Sequence, residues 1–100
     1  LILSRGDNIM NAEDYSEVFK ALSHPLRLKI ACGLLHKGKC NVNTMVERLG
    51  VSQSLISQHI NILKKSGLIK GYRNGNIIWY KLESKLAQKL LQNIELKLCE

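Results

Sequence analysis

The sequence contains no apolar run approaching the roughly 20 residues that a helix needs to cross a bilayer. Its opening, LILSRGDNI, lacks the regions of a secretory signal. Both absences imply a cytoplasmic protein with no membrane partner. Three cysteines are present, but no CxxC pair and no repeated cysteine spacing. This argues against a secreted disulfide scaffold, a zinc ribbon and a thiol-disulfide enzyme. No acid–base constellation is visible either, so an enzyme is not expected and no cofactor is implied. His24, His36 and His59 form no metal-ligand spacing. Carboxylates are missing from one long stretch: no Asp or Glu occurs from Arg48 to Leu82, while Arg48, Lys64, Lys65, Lys70, Arg73 and Lys81 give it +6. The rest of the chain is nearly balanced, so almost all of the net charge of +7 lies there. A generic soluble surface mixes the two signs. A region of one sign points to a polyanionic partner.

One hundred residues, 45% of them hydrophobic, suit one compact domain. Such a chain buries only about 60–65% of its unfolded surface, so further burial against a second subunit would add stability. Leu1 is not a normal initiator and Met10 opens a plausible frame. Residues 1–11 are therefore expected to be a disordered or artificial leader, and residues 12–100 the folded domain.

The periodicity is mostly helical. Tyr15, Val18, Phe19 and Leu22 recur at three- and four-residue steps after an acidic turn of Glu13 and Asp14, giving helix 1 over Asn11 to Leu22. Pro25 suits the first turn of helix 2, which runs to about His36 with Gly38 as a stop. Asn43 is the expected N-cap of a short helix 3 ending at Gly50. Ser52 caps helix 4, whose apolar face is Ile56, Ile60 and Leu63 and whose stop is Gly67. Two runs, LIKGYR and NIIWYKL, then flank Asn74-Gly75, which predicts a hairpin with a type I′ turn in which both residues take positive φ. Leu86, Leu90, Leu91, Ile94 and Leu98 share one stripe of a fifth helix from Ser84 to Cys99. The fold class is mainly α with a β-hairpin wing, a winged helix-turn-helix in the order α-α-α-α-β-β-α.

Away from its apolar face, helix 4 presents Gln53, Ser54, Ser57, Gln58 and Asn61, with His59 beside them. Neutral donor–acceptor side chains can pair with base edges in a major groove, where carboxylates would be repelled by the flanking phosphates. Lys64 and Lys65 at the helix end, with Lys70, Arg73 and Asn74 on the wing, would hold the DNA backbone, and Ser52 opens the same surface. A merely solvated polar helix would show part of this pattern, but not the acid-free stretch and the wing together.

The blocks ALSHPLRLKIACGLL, LGVSQSLISQHINILKKSGLI and YRNGNIIWYKL closely resemble three consecutive signatures of the ArsR/SmtB family of winged-helix repressors, over about residues 12–100. The resemblance implies a homodimer on double-stranded operator DNA with an imperfect inverted repeat, released by an inducer. It places the dimer interface on helices 1 and 5, here Tyr15, Phe19, Leu86, Leu90, Leu91, Ile94 and Leu98. The family's two-cysteine site before helix 3 falls on Asn41 and Asn43, with Cys40 single beside it, and its helix 5 zinc site falls on Ser84, Leu86, Lys97 and Glu100. Neither donor set supports a metal.

Cys32 in helix 2 with Cys99 at the end of helix 5 resembles the persulfide- and thiol-redox-sensing branch, of the BigR and SqrR type. The resemblance implies that a disulfide or polysulfide bridge between the two cysteines, made by a small reactive-sulfur or oxidant inducer, releases the DNA. On a helical wheel Cys32 falls near about 240°, at the margin of its helix's apolar stripe, and Cys99 near about 220°, off the stripe of helix 5. Lys29 and His36 lie close enough to Cys32 in helical spacing to stabilise a thiolate. Three readings compete with this one. Both thiols could be ordinary small core side chains; Cys32, Cys40 and Cys99 could form a soft-metal or arsenite site; or the chain could coat DNA without sequence preference.

Overall fold

The computed structural model describes residues 10–94 and residue 96. Its elements are α1 (Ala12–Leu22), α2 (Pro25–Lys37), α3 (Val42–Leu49), α4 (Gln53–Lys65), β1 (Ile69–Asn74), β2 (Ile77–Leu82) and α5 (Lys85–Leu91). The order is the expected winged helix-turn-helix.

Local side-chain chemistry starts each helix. Asn11 accepts from the Asp14 N–H (2.9 Å) while the Asp14 carboxylate accepts from the Asn11 N–H (3.2 Å), a reciprocal capping box. Asn11, which closes the expected leader and opens the expected helix 1, is thus tied into the fold as the N-cap. The ring of His24 caps α2 through Nδ1, which accepts from the Leu26 N–H at 3.0 Å, and Pro25 follows where a missing N–H costs nothing. Ser52 and Ser84 cap α4 and α5, accepting from Leu55 and Ala87.

Three local expectations are corrected. The N-cap of α3 is Asn41, whose Oδ1 accepts from the Thr44 N–H at 2.8 Å, and Asn43 lies inside the helix. The cause is tertiary: Cys40 exchanges two backbone hydrogen bonds with Tyr80 (3.1 and 2.8 Å). That extended pairing fixes where the helix can begin. The hairpin turn is also one residue later than expected. Asn74 pairs with Ile77, so Gly75 and Asn76 are the central residues, and only Gly75 has positive φ (66°). Glycine first with a single positive φ is the type II′ pattern, not type I′. Lastly, α5 stops at Leu91, followed by a turn in which the Ile94 N–H donates to the Leu91 carbonyl at 3.0 Å. Short helices depend on packing, and beyond Leu91 the described apolar residues Ile94 and Leu96 are only half-buried. Leu98 and Cys99 lie outside the described residues.

The core joins all the helices to the base of the hairpin. Ile30 and Leu34 of α2, Met45 of α3, Ile56 and Leu63 of α4, and Leu91 of α5 are sealed from solvent. Gly71 on β1 faces Tyr80 on β2, and a Cβ there would lie 2.9 Å from Ile78 Cγ2 and 3.0 Å from Tyr80 Cε1. Tyr80 is buried and its backbone holds the α2–α3 connector, so its ring has little room to yield. Gly71→Ala is expected to cost about 1–3 kcal/mol by overpacking, read as a lower midpoint in urea.

Candidate nucleic-acid interface

The α3–α4 pair meets through the short turn at Gly50–Ser52, which leaves one side of α4 buried and the other open. Ile56, Ile60 and Leu63 are 0%, 2% and 0% exposed, whereas Gln53, Ser54, Ser57, Gln58 and Asn61 are all exposed. The apolar residues anchor the helix, and the five open polar residues are neutral hydrogen-bonding groups, with Leu55 and Ile62 also exposed on α4 (37% each). Lys64 and Lys65 are exposed in its last turn. The oxygen of Ser52 is engaged as the cap, so its hydroxyl hydrogen is what it has to offer a phosphate.

His59 departs from its expected place. It is buried and turned inward, its Nδ1 3.1 Å from Arg27 Nη1 and its ring 4.3 Å from that of His24. It cannot reach a base in this arrangement. Position 59 follows Ile56 by three residues, so helical spacing brings it to the core side; the polar character of its ring gave the contrary signal.

On the wing, Lys70, Tyr72 and Asn74 share the outward face with Ile77, Trp79 and Lys81. Lys70 and Lys81 are directly opposite each other, an arrangement that like charges disfavour. Both ammonium groups lean over Tyr72, at 5.5 and 5.6 Å from the ring centroid. Tyr72 donates to Glu83 at 2.7 Å, and that hydrogen bond holds its phenol above the ordinary range. Arg73 is exposed near the tip, with Nη1 3.5 Å from the Gly75 carbonyl. Helix end and wing therefore bracket the neutral face of α4 with cations.

The residues expected at a dimer interface separate into two groups. Tyr15 and Phe19 are 40% and 55% exposed on α1. Leu86 and Leu91 instead belong to this chain's own core, while Leu90 and Ile94 are half-buried. The stripe on α5 is thus first used within the chain, against α1 and α2.

Cys32 is also corrected. It is 0% exposed, among Ile30, Ala31 and Leu34, not at a margin, and burial pushes its thiol up. The wheel treats α2 as packed on one side; in the fold α1, α4, α5 and β2 all pack against it, widening the buried arc. Alkylation of Cys32 by iodoacetamide is expected to run at least about tenfold slower in the folded chain than in urea. Because the thiolate is the nucleophile, its rate should still climb above the ordinary thiol pKa; peptide mass spectrometry after timed quenching measures this. Cys40 is buried as well, its Sγ 3.5 Å from the Asn41 carbonyl oxygen.

No group of three or more His, Cys, Asp or Glu among the described residues could hold a metal ion. A groove of about 390 Å³ runs between the start of α3 and the wing tip, lined by Asn41, Thr44, Glu47, Gln53, Asn76 and Ile77. No described helix is long and apolar enough to cross a membrane.

A family model described as "Bacterial regulatory protein, arsR family" matches residues 24–70. The biofilm growth-associated repressor of Xylella fastidiosa is 34% identical over 87 residues, covering 86% of this chain and 75% of that protein. Among solved structures, HlyU from Vibrio cholerae superposes with a TM-score of 0.78 at 29% identity, covering 82% of this chain and 88% of that one. The transcriptional repressor BigR from Xylella fastidiosa gives 0.76 at 32% identity, covering 81% and 82%.

Proposed function

Because the chain belongs to the arsR family of bacterial regulatory proteins, we propose that it is a transcriptional repressor that acts as a homodimer on an imperfect inverted repeat in duplex DNA. It is a regulator and not an enzyme. The observation that carries the reading is the two-sided α4: a sealed apolar face and an open, neutral, hydrogen-bonding face bracketed by Lys64, Lys65, Lys70, Arg73 and Lys81. Ser54, Ser57, Gln58 and Asn61 read base edges, with Gln53 at the helix start; Ser52, the lysines, Arg73 and Asn74 hold phosphates. His59 supports α4 from within and does not read DNA. Tyr15 and Phe19 meet the partner subunit, with Leu90, Ile94 and Leu98 continuing the contact.

Selection of duplexes from a randomised library, followed by anisotropy titration, tests this reading. The selected duplex should bind more tightly than random DNA of the same length. Equal affinity would leave only a DNA-coating protein. Each phosphate-holding lysine changed to glutamine, Lys65→Gln for example, should flatten log affinity against log salt by about 0.9 per contact.

The proposed inducer response is a bridge between Cys32 and Cys99. A direct disulfide removes two protons and two electrons from the thiols, accepted by a peroxide that becomes water or by an organic persulfide that becomes thiol and hydrogen sulfide. An inserted sulfur atom comes from one persulfide, and a second persulfide accepts the electron pair. What supports the bridge is the position of Cys32 on α2, packed against α1, α4 and α5. A cross-link there bears on both the reading helix and the interface helices. A bias of about 2.7 kcal/mol against the DNA-bound form would cut affinity about a hundredfold. Burial of Cys32 sets a condition, that the core opens before the thiol reacts. Mass spectrometry after organic persulfide, with Cys32→Ala and Cys99→Ala as controls, tests it; alanine avoids burying the unpaired hydroxyl of serine. Release of DNA that persists in both variants would rule out the bridge.

A further inference from the structure

Taking the repressor reading as its basis, we propose that Arg27 is a positioning residue for DNA recognition, holding the inner face of α4 at a fixed distance from the α1–α2 corner through a neutral His59. The guanidinium makes two donations from one rigid plane. Its Nε donates to the Ala21 carbonyl in the last turn of α1 at 2.6 Å, and its Nη1 donates to His59 Nδ1 at 3.1 Å. Arginine has no acceptor, so Nδ1 of His59 must carry a lone pair and Nε2 the hydrogen. His24 is fixed in the same tautomer, because its Nδ1 accepts from the Leu26 N–H, and its ring lies over His59 with the planes tilted by 38°. A proton on Nδ1 of either ring would face a donor.

This assembly acts on the helix that reads DNA. His59 lies between Ser57, Gln58 and Asn61 in sequence but on the opposite face, and the helix is rigid, so a displacement on the inside moves those three side chains together. Base-edge hydrogen bonds are short and directional, whereas phosphate contacts carry no sequence information. Losing the clamp therefore degrades discrimination more than total affinity. Lysine cannot replace Arg27, since a point charge on a flexible stem cannot make both donations in one plane. Of the elements packed on α4 (α1, α2, α3 and β1), only α2 presents charged or titratable groups acting on the ring among the described residues, namely His24 and Arg27. Burial, then His24, then Arg27 hold His59 below the ordinary histidine range, which keeps it neutral at pH 7. The sign follows: His59 is compatible with the clamp above the ordinary value near pH 6.5, and the clamp is lost as pH falls through the lowered value.

The experiment measures affinity for the library-selected duplex and for random duplex in a series from about pH 7.5 down to the lowest pH at which circular dichroism still shows the native fold. The ratio of the two affinities removes the general gain in positive charge at low pH. Arg27→Lys should lower the ratio about tenfold at the highest pH while random-DNA affinity changes less than about twofold. In the unaltered chain the ratio should fall as the pH drops through the lowered His59 value. In His59→Asn, whose amide oxygen accepts from Arg27 but does not titrate, it should stay within about twofold. Should Arg27→Lys fail to fold by circular dichroism, the two pH profiles still decide. Equal losses for both duplexes in a folded Arg27→Lys, or matching pH profiles for the unaltered chain and His59→Asn, would overturn the positioning role. No DNA binding by the unaltered chain would sink the repressor reading and this proposal with it.

Discussion

Ser57→Glu is expected to lower affinity for the selected duplex at least about a hundredfold, about 2.7 kcal/mol, without disturbing the fold. Ser57 is exposed in the middle of α4, and no carboxylate occurs in the chain from Arg48 to Leu82. A carboxylate placed there removes a neutral hydrogen-bonding group and faces the phosphates on either side, where like charges cost several kcal/mol. Glutamate is at least as good a helix former as serine, and exposed substitutions typically shift stability by no more than about 0.5 kcal/mol. The urea midpoint should therefore stay put while the anisotropy titration collapses. Ser57→Gln, which keeps donors and acceptors, should lose far less. Tight binding by Ser57→Glu would remove α4 from the reading role.

One residue earlier, Ile56→Ala should have the opposite profile. Ile56 is 0% exposed and lies in the cluster with Ile60 and Leu63. Truncation removes buried methyl groups and leaves a cavity, at a cost of about 3 kcal/mol within the usual 2–5. Against the roughly 5–15 kcal/mol that holds a domain together, this takes a large share. At about 4–8 °C per kcal/mol for a domain of this size, the melting temperature should fall by more than about 10 °C. Weakened DNA binding would follow the unfolded fraction and recover on cooling toward the temperature of maximum stability. Adjacent positions on one helix thus separate recognition from stability. The helical period sets them about 100° apart, enough to put Ile56 in the core and Ser57 in the open.

Several site features could be read before any coordinates. The alternation of buried and open residues on α4, the acid-free stretch and the helix-turn-helix order all follow from local periodicity and charge. The cap position of Ser52 follows from local hydrogen bonding. His59 sits beside the polar residues of α4 in sequence and matches the family's DNA-reading helix, yet the structure buries it. Its burial depends on Arg27, 32 residues away, which supplies a hydrogen-bond partner. Cys32 went the same way: a wheel describes one helix with one buried side, and α2 is enclosed on several. Asn41 displaced Asn43 as a cap because Tyr80, distant in sequence, fixes Cys40 beside it.

By itself, then, the sequence determined the order of elements, the two faces of α4 and the concentration of positive charge around it, since each depends on residues a few positions apart. The tertiary structure alone decided that Cys32 is sealed, that Leu86 and Leu91 serve the chain's own core, and that His59 answers to Arg27. Burial and pairing are properties of surfaces brought together from distant parts of the chain, and no local period encodes which surfaces those will be.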